Sequence, residues 1–218
     1  MATDTRERIL DASRGLFARH GYAGTGIKQI LAEADAAFAS LYHFFPGGKD
    51  QLAAEAIRTS GAMYQHLVES VLDAAPDMLT GISDCFVGAA ETLRATGYAD
   101  ACPIATVALE VASTDETLRQ ATADVFASWI TALTERFVSA GVDEAAAAEL
   151  AISAIALLEG AFVLSRALRS TEPMKAAGRT ATQAVHAALR TTRALHETEL
   201  TDPAQAAHFP GSTAAQKG

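Results

Sequence analysis

An all-α fold is expected, and three features of the 218-residue chain predict it. Apolar residues recur at spacings of three and four over long stretches, the signature of one buried helix face. Only 6 prolines interrupt the chain and alanine is abundant, so helix interiors run unbroken. Breakers stand where the periodic stretches stop, at Gly21, Pro46, Pro76, Gly97, Gly141 and Pro173.

The first helix is expected over residues 5–20. Asp4 and Glu7 have capping-box spacing, and Ile9, Ala12, Ser13, Leu16 and Phe17 form one stripe. Gly21 stands where a helix-ending glycine belongs. A second, short helix over 26–34 carries Ile27, Ile30 and Leu31, with Thr25 as its expected cap. A third over 38–44 must stop before Pro46. Asp35-Ala36-Ala37 between them is long enough only for a helix–turn–helix corner. The core of this three-helix unit is expected at Ile9, Leu16, Phe17, Ile27, Ile30, Leu31, Leu41 and Phe45.

A long helix over 49–75 follows, ended by Pro76, with Leu52, Ala56, Met63, Leu67, Val71 and Ala74 on its buried side. Its start abuts the three-helix unit and its body belongs to the rest, so it joins the two. Further helices are expected over 77–96, 103–111 and 114–140, the last with Leu118, Val125, Trp129, Leu133 and Phe137 on one side. The stretch 143–169 is apolar around nearly its whole circumference, and Pro173 is expected to break it before a last helix over 174–196. The expected division is therefore 1–48, 49–196 and a disordered tail over 197–218, where periodicity fades and Pro, Gly and Ser accumulate.

The net charge of −9 is the wrong sign for a protein that coats nucleic acid. Its distribution narrows this, because residues 1–50 hold six Lys/Arg and six Asp/Glu and the surplus lies in 51–218. Phosphate affinity in the first unit must come from a few placed cations, helix N-termini and hydroxyls. The N-terminus is acidic and polar, and Cys85 and Cys102 are expected as buried free thiols, so a cytoplasmic location is expected. No apolar run of membrane-spanning length is expected; the nearest, 150–165, contains Glu159. No enzyme constellation stands out. His66 and His186 are isolated, and His196-Glu197 and His208 lack a partner at a useful spacing. Gly47-Gly48-Lys49 lacks the upstream glycine and strand of a phosphate loop, and no metal motif or cofactor is expected.

Residues 6–52 resemble the DNA-binding domain of the TetR family of transcriptional repressors. The matching positions are Glu7–Leu10, Leu16-Phe17, Gly21-Tyr22, Thr25, Ile27, Ile30, the run Ser40-Leu41-Tyr42-His43-Phe44-Phe45-Pro46, Gly48-Lys49 and Leu52. That run, at that distance from Gly21-Tyr22, is the specific part. Asp35 stands where the family usually has glycine, Ala37 where it usually has Ser or Pro, and Phe38-Ala39 where a cation and a glycine are common.

The resemblance implies roles for particular residues. Thr25, Tyr42, His43 and Lys49 match positions that contact DNA phosphates, joined by Lys28. Phe38, Ala39 and Ser40 match positions facing the major groove, where an apolar side chain can touch a thymine methyl. The last two long helices are similar to a dimerising four-helix bundle, with Leu150, Ile152, Ile155, Phe162, Val163, Val185 and Leu189 as interface residues. A cavity for an apolar small-molecule effector is implied between the middle helices, with Met63, Leu67, Phe86, Phe126, Trp129 and Phe162 around it; ordinary core is the competing assignment for each. The expected protein is a homodimeric repressor that binds a palindromic double-stranded DNA operator and is released by an apolar effector. A helical small-molecule-binding or scaffold protein with weakened DNA binding is the alternative, motivated by a recognition helix with no cation before His43.

Overall fold

The computed structural model describes residues 2–100 and 102–201. Among these residues it contains nine helices and no strand. They are α1 (Ala2–His20), α2 (Ile27–Glu33), α3 (Phe38–Phe44), α4 (Gly48–Ala74), α5 (Met78–Ala95), α6 (Pro103–Val111), α7 (Glu116–Ser139), α8 (Glu144–Leu168) and α9 (Glu172–Thr201).

Most ends follow from local chemistry. Asp77, Asp115 and Asp143 each turn a carboxylate onto free amides of the helix that follows, at 2.8 Å to Thr80, 2.9 Å to Leu118 and 3.0 Å to Ala145. Ala75 takes an extended ψ of 146° before Pro76, which ends α4. Gly21 ends α1 at φ +72°, with its Cα so close to the Glu110 carboxylate that a side chain there would collide with it.

Three expected boundaries differ. α1 starts at Ala2, upstream of the expected cap at Asp4, whose carboxylate instead accepts from Arg8 at 2.8 Å. Arg169 ends α8 by adopting a left-handed conformation, and Pro173 falls in the first turn of α9, where proline costs no hydrogen bond. α9 continues through Thr201, so the first residues of the expected tail are helical; 202–218 lie outside the described residues.

Two apolar cores lie along the chain. The first joins α1, α2 and α3 to the first half of α4, to α6 and to the start of α7, through Ile9, Phe17, Ile30, Leu41, Phe45 and Leu52 on one side and Ile57, Ile104, Val107 and Leu118 on the other. Ile27 only packs against it, half-buried. The second gathers α5, α8, α9 and the ends of α4 and α7 around Phe86, Leu93, Phe137, Ala151, Met174 and Val185. α4 and α7 press together at Gly61, where a Cβ would fall 2.5 Å from Val125, and the Trp129 indole donates to the Gly61 carbonyl at 2.9 Å.

The expected buried side of α4 holds only over its first half. Met63 and Leu67 are 53% and 57% exposed. α8 buries a stripe of alanines, Ala147, Ala151, Ala154 and Ala161, and leaves its larger apolar residues outward. By length and composition this helix is apolar enough to cross a membrane, contrary to the expectation that no run reaches that length.

Candidate nucleic-acid interface

The corner between α2 and α3 is built around Asp35, which takes φ +46°. Aspartate is one of the few side chains that visits this region at modest cost. The turn is held from outside: Arg8 on α1 donates from Nε to the Ala34 carbonyl at 2.9 Å and from Nη2 to the Asp35 carbonyl at 3.2 Å. Sequence reasoning missed Arg8, since its partners at the turn are backbone carbonyls and carry no residue signal.

α3 then projects from the head. Its N-cap, Ala37, offers no side-chain bond, as its residue type dictates. Leu41 and Phe45 anchor it in the first core. Phe38, 56% exposed, and Tyr42 stand beside each other on the open side with ring centroids 5.6 Å apart. Ala39 and His43 are also exposed and Ser40 is half-buried. Lys28 on α2 and Phe38 on α3 line one shallow groove beside the turn. The structure thus brings Lys28, Phe38, Ala39, Ser40, Tyr42 and His43 onto the outward side of one two-helix unit.

Two expected contacts change meaning. Thr25 does not cap α2; Gly26 occupies that position without a side-chain bond. The Thr25 side chain is fully buried and its hydroxyl donates to the Gly21 carbonyl at 2.7 Å, so it shapes the loop and presents nothing to a phosphate. Lys49 is half-buried, lies 3.9 Å from the Tyr22 ring centroid and donates to the Tyr22 carbonyl at 2.7 Å. Burial pulls its pKa down, against the opposing pull of Asp50 and Glu110. One ammonium hydrogen is therefore committed to the loop. Tyr22 in turn donates to Asp50.

Cations are scarce on this head. Arg6, Arg8 and Arg14 pair with Glu55, Asp4 and Asp11, and Arg19 donates to the Gly15 carbonyl at 3.1 Å. Lys28 is the exposed cation at the turn. The head is tied to the rest of the chain by Glu110, near the end of α6, whose carboxylate accepts from the Ala23 amide at 2.7 Å.

The expected cavity residues do not converge. Met63 and Leu67 face outward, Phe126 and Trp129 pack against the first core, and Phe86 and Phe162 belong to the second. Instead, polar groups the sequence left unassigned meet between α4, α6 and α8. The Cys102 thiol, which caps α6, is pushed up by burial first and then by Glu159 on α8. Burial lifts the Glu159 carboxyl to about 7, with the neighbouring thiol opposing. Tyr64 on α4 has its phenol pushed up by burial and then by Cys102, Asp100 and Glu159. Tyr64 lies two turns beyond Ile57 on the same side of α4, yet is 40% exposed where Ile57 is buried.

The expected interface residues also divide. Ile152 and Val163 are 53% and 57% exposed. Leu150, Phe162 and Leu189 are half-buried against the second core, and Ile155 is half-buried. Val185 is 1% exposed, a correction: its position on α9 turns it into the protomer's own core.

Residues 9–56 match the profile of bacterial regulatory proteins of the tetR family, and residues 79–180 match that of the C-terminal domain of LmrA/YxaF-like transcriptional regulators. The HTH-type transcriptional regulator LmrA of Bacillus subtilis is 32% identical over 78% of this chain and 91% of its own. YxaF of the same organism, an uncharacterised HTH-type transcriptional regulator, is 33% identical over 78% of this chain and 90% of its own. Among solved structures, a regulatory protein TetR from Rhodobacter sphaeroides superposes with TM-score 0.74 at 19% identity, over 82% of this chain and 97% of that one. The reduced form of NemR from E. coli gives 0.73 at 22% identity, over 82% and 95%. These relatives are regulators and not enzymes, and the chain belongs to the TetR family of transcriptional regulators.

Proposed function

We propose that this protein is a cytoplasmic repressor that binds a palindromic operator as a homodimer and leaves it when a small apolar molecule binds. The observation that carries this reading is α3 itself. A seven-residue helix anchored by Leu41 and followed by buried Phe45 turns Phe38, Ala39, Tyr42 and His43 outward, more apolar and aromatic surface than a packed head leaves exposed without use.

The dimer reading rests on α8 and α9. The outward side of α8 carries Ser153, Ala156, Gly160, Val163 and Ala167, and a Cβ on Gly160 would meet nothing within 4 Å. The neighbouring side of α9 carries Ala176, Thr180 and Ala187. Small residues beside exposed Ile152 and Val163 suit close packing by a second copy, and a symmetric pair of heads suits a palindrome. This assigns the apolar face of α8 to protein rather than lipid. The effector reading rests on Tyr64 of α4, which feels Cys102 and Glu159 and has apolar Met63 and Leu67 exposed beside it on the same helix.

The alternative, a helical small-molecule binder with weakened DNA binding, keeps one supporting observation: Lys28 stands nearly alone as a free cation at the turn. A gel-shift with the DNA flanking the protein's own gene separates the two. Retention of a specific fragment in the presence of competitor DNA is the expected result; none retained at low salt would leave the alternative standing.

A further inference from the structure

A cleft of about 500 Å³ lies between α5 and α9, and no residue of α8 lines it. Its floor is apolar, formed by Leu79 and by Phe86, which is almost fully buried. Val87 stands exposed at its lip. One end is closed where the two helices touch: a Cβ on Gly178 would fall 2.8 Å from the Phe86 Cβ. The volume matches sites that hold small organic molecules.

The α9 wall is basic. Lys175, Arg179 and His186 line it, and no acidic residue does. This is a local reversal, because residues 51–218 carry the whole −9 of the chain. Lys175 donates to Glu172 at 2.9 Å, so its charge is matched. Arg179 makes no hydrogen bond or ion pair among the described residues; Glu172 feels its charge but is bonded to Lys175. Its guanidinium keeps a planar fork of donors free. Thr182, on the same wall, has a hydroxyl cut off from solvent and without a hydrogen-bond partner. Such a group costs stability unless a partner arrives.

We propose that the α5–α9 cleft binds a small amphipathic carboxylate, an organic acid whose apolar body is one or two rings in size. The body lies on Phe86 and Leu79. The carboxylate meets the Arg179 fork, which matches its two oxygens in one plane. His186 and Gln183 stand at the same rim as further donors. The Thr182 hydroxyl, on the same wall and without a partner, is the group the ligand would satisfy. The site needs no DNA.

The test is calorimetric titration of naphthoate into the full-length protein, with uncharged naphthamide in parallel. Naphthoate is expected to bind about tenfold or more tightly than the amide, since the charge-assisted bond is the selective contact. Arg179→Met keeps the stem and removes the fork, and is expected to cost naphthoate about tenfold while leaving the amide unchanged. Val87→Trp fills the mouth from an exposed position and is expected to abolish binding of both. Thr182→Val discriminates further: a purely structural hydroxyl predicts a higher melting temperature with unchanged naphthoate affinity, and the proposal predicts weaker naphthoate binding. Arg179 and Val87 lie at the surface, so folding of those variants is checked by circular dichroism. Equal affinity for acid and amide, unchanged binding in Arg179→Met or Val87→Trp, or no binding at millimolar naphthoate would each overturn the proposal. None of these outcomes touches the repressor reading.

Discussion

Glu159 lies within an otherwise apolar stretch of α8, and its carboxyl is lifted from 4.5 to about 7, by burial first. Between those two values the folded protein keeps a proton that the unfolded chain has released. Stability therefore falls as pH rises through this window and levels off above it. Glu159→Gln keeps shape and removes ionisation, so it is expected to flatten that segment and to raise stability above it by on the order of 1–3 kcal/mol. Chemical denaturation across the window reads this directly; a variant with the parent's slope would remove Glu159 as its source. The same scale shows what the sequence hides. Glu159 was legible only as an interruption in an apolar run. Its partnership with Cys102 depends on how α6 and α8 dock. Glu110 is hidden for the same reason, since it meets a backbone amide 87 residues away.

At the scale of helices, α3 fell where the spacing of Phe38, Leu41 and Phe45 placed it, because Pro46 fixes where it stops and buried Leu41 and Phe45 fix which side faces the core. The outward set of α3 residues was legible for the same reason. Thr25 was not, because a hydroxyl before a helix can cap forward or bond backward, and only the loop's path decides. Lys28→Ala is expected to weaken binding to all DNA sequences alike and to reduce the slope of log affinity against log salt by about one unit. Phe38→Ala is expected to relax base preference at one position of each half-site while leaving that slope unchanged. Titrations at several salt concentrations on a randomised half-site separate the two effects. For α8, the periodicity showed that an apolar helix exists but not which side the protomer itself covers; the buried alanines settle that. Val163→Glu places a charge at the centre of the exposed side and is expected to turn the dimer into a monomer by light scattering. A dimer of parent mass would move the interface elsewhere.

For the whole molecule, α4 begins at Gly48, shortly after α3 ends at Phe44, and runs past exposed Tyr64 and Leu67. α6 makes a second connection, from Cys102 at one end to Glu110 beneath the α1–α2 loop at the other. In the proposed response, a molecule bound between α4 and α8 moves both connections and alters the spacing of the paired α3 helices, which must meet major-groove faces roughly 34 Å apart. Linkage makes the effect reciprocal, with coupling of roughly 1–3 kcal/mol in ordinary cases. Effector is therefore expected to bind the operator complex about 5- to 150-fold more weakly than free protein. Equal affinities by calorimetry would show that a given molecule is not the inducer.

The first core has a consequence for anyone treating the reading head as an interchangeable part. Its packing does not stop at residue 48: Leu52, Ala56 and Ile57, then Ile104, Val107, Val111 and Leu118, close over Ile9, Phe17, Leu41 and Phe45. A 1–48 fragment is too small to be stable with one face of its core stripped, and is expected to lack cooperative melting. A chimera that grafts this head onto another regulator at that junction inherits a mismatched seam. The natural seam runs across α4 near Gly61, between the two cores, so a transplant that preserves specificity has to carry α6 and the first half of α7 with it.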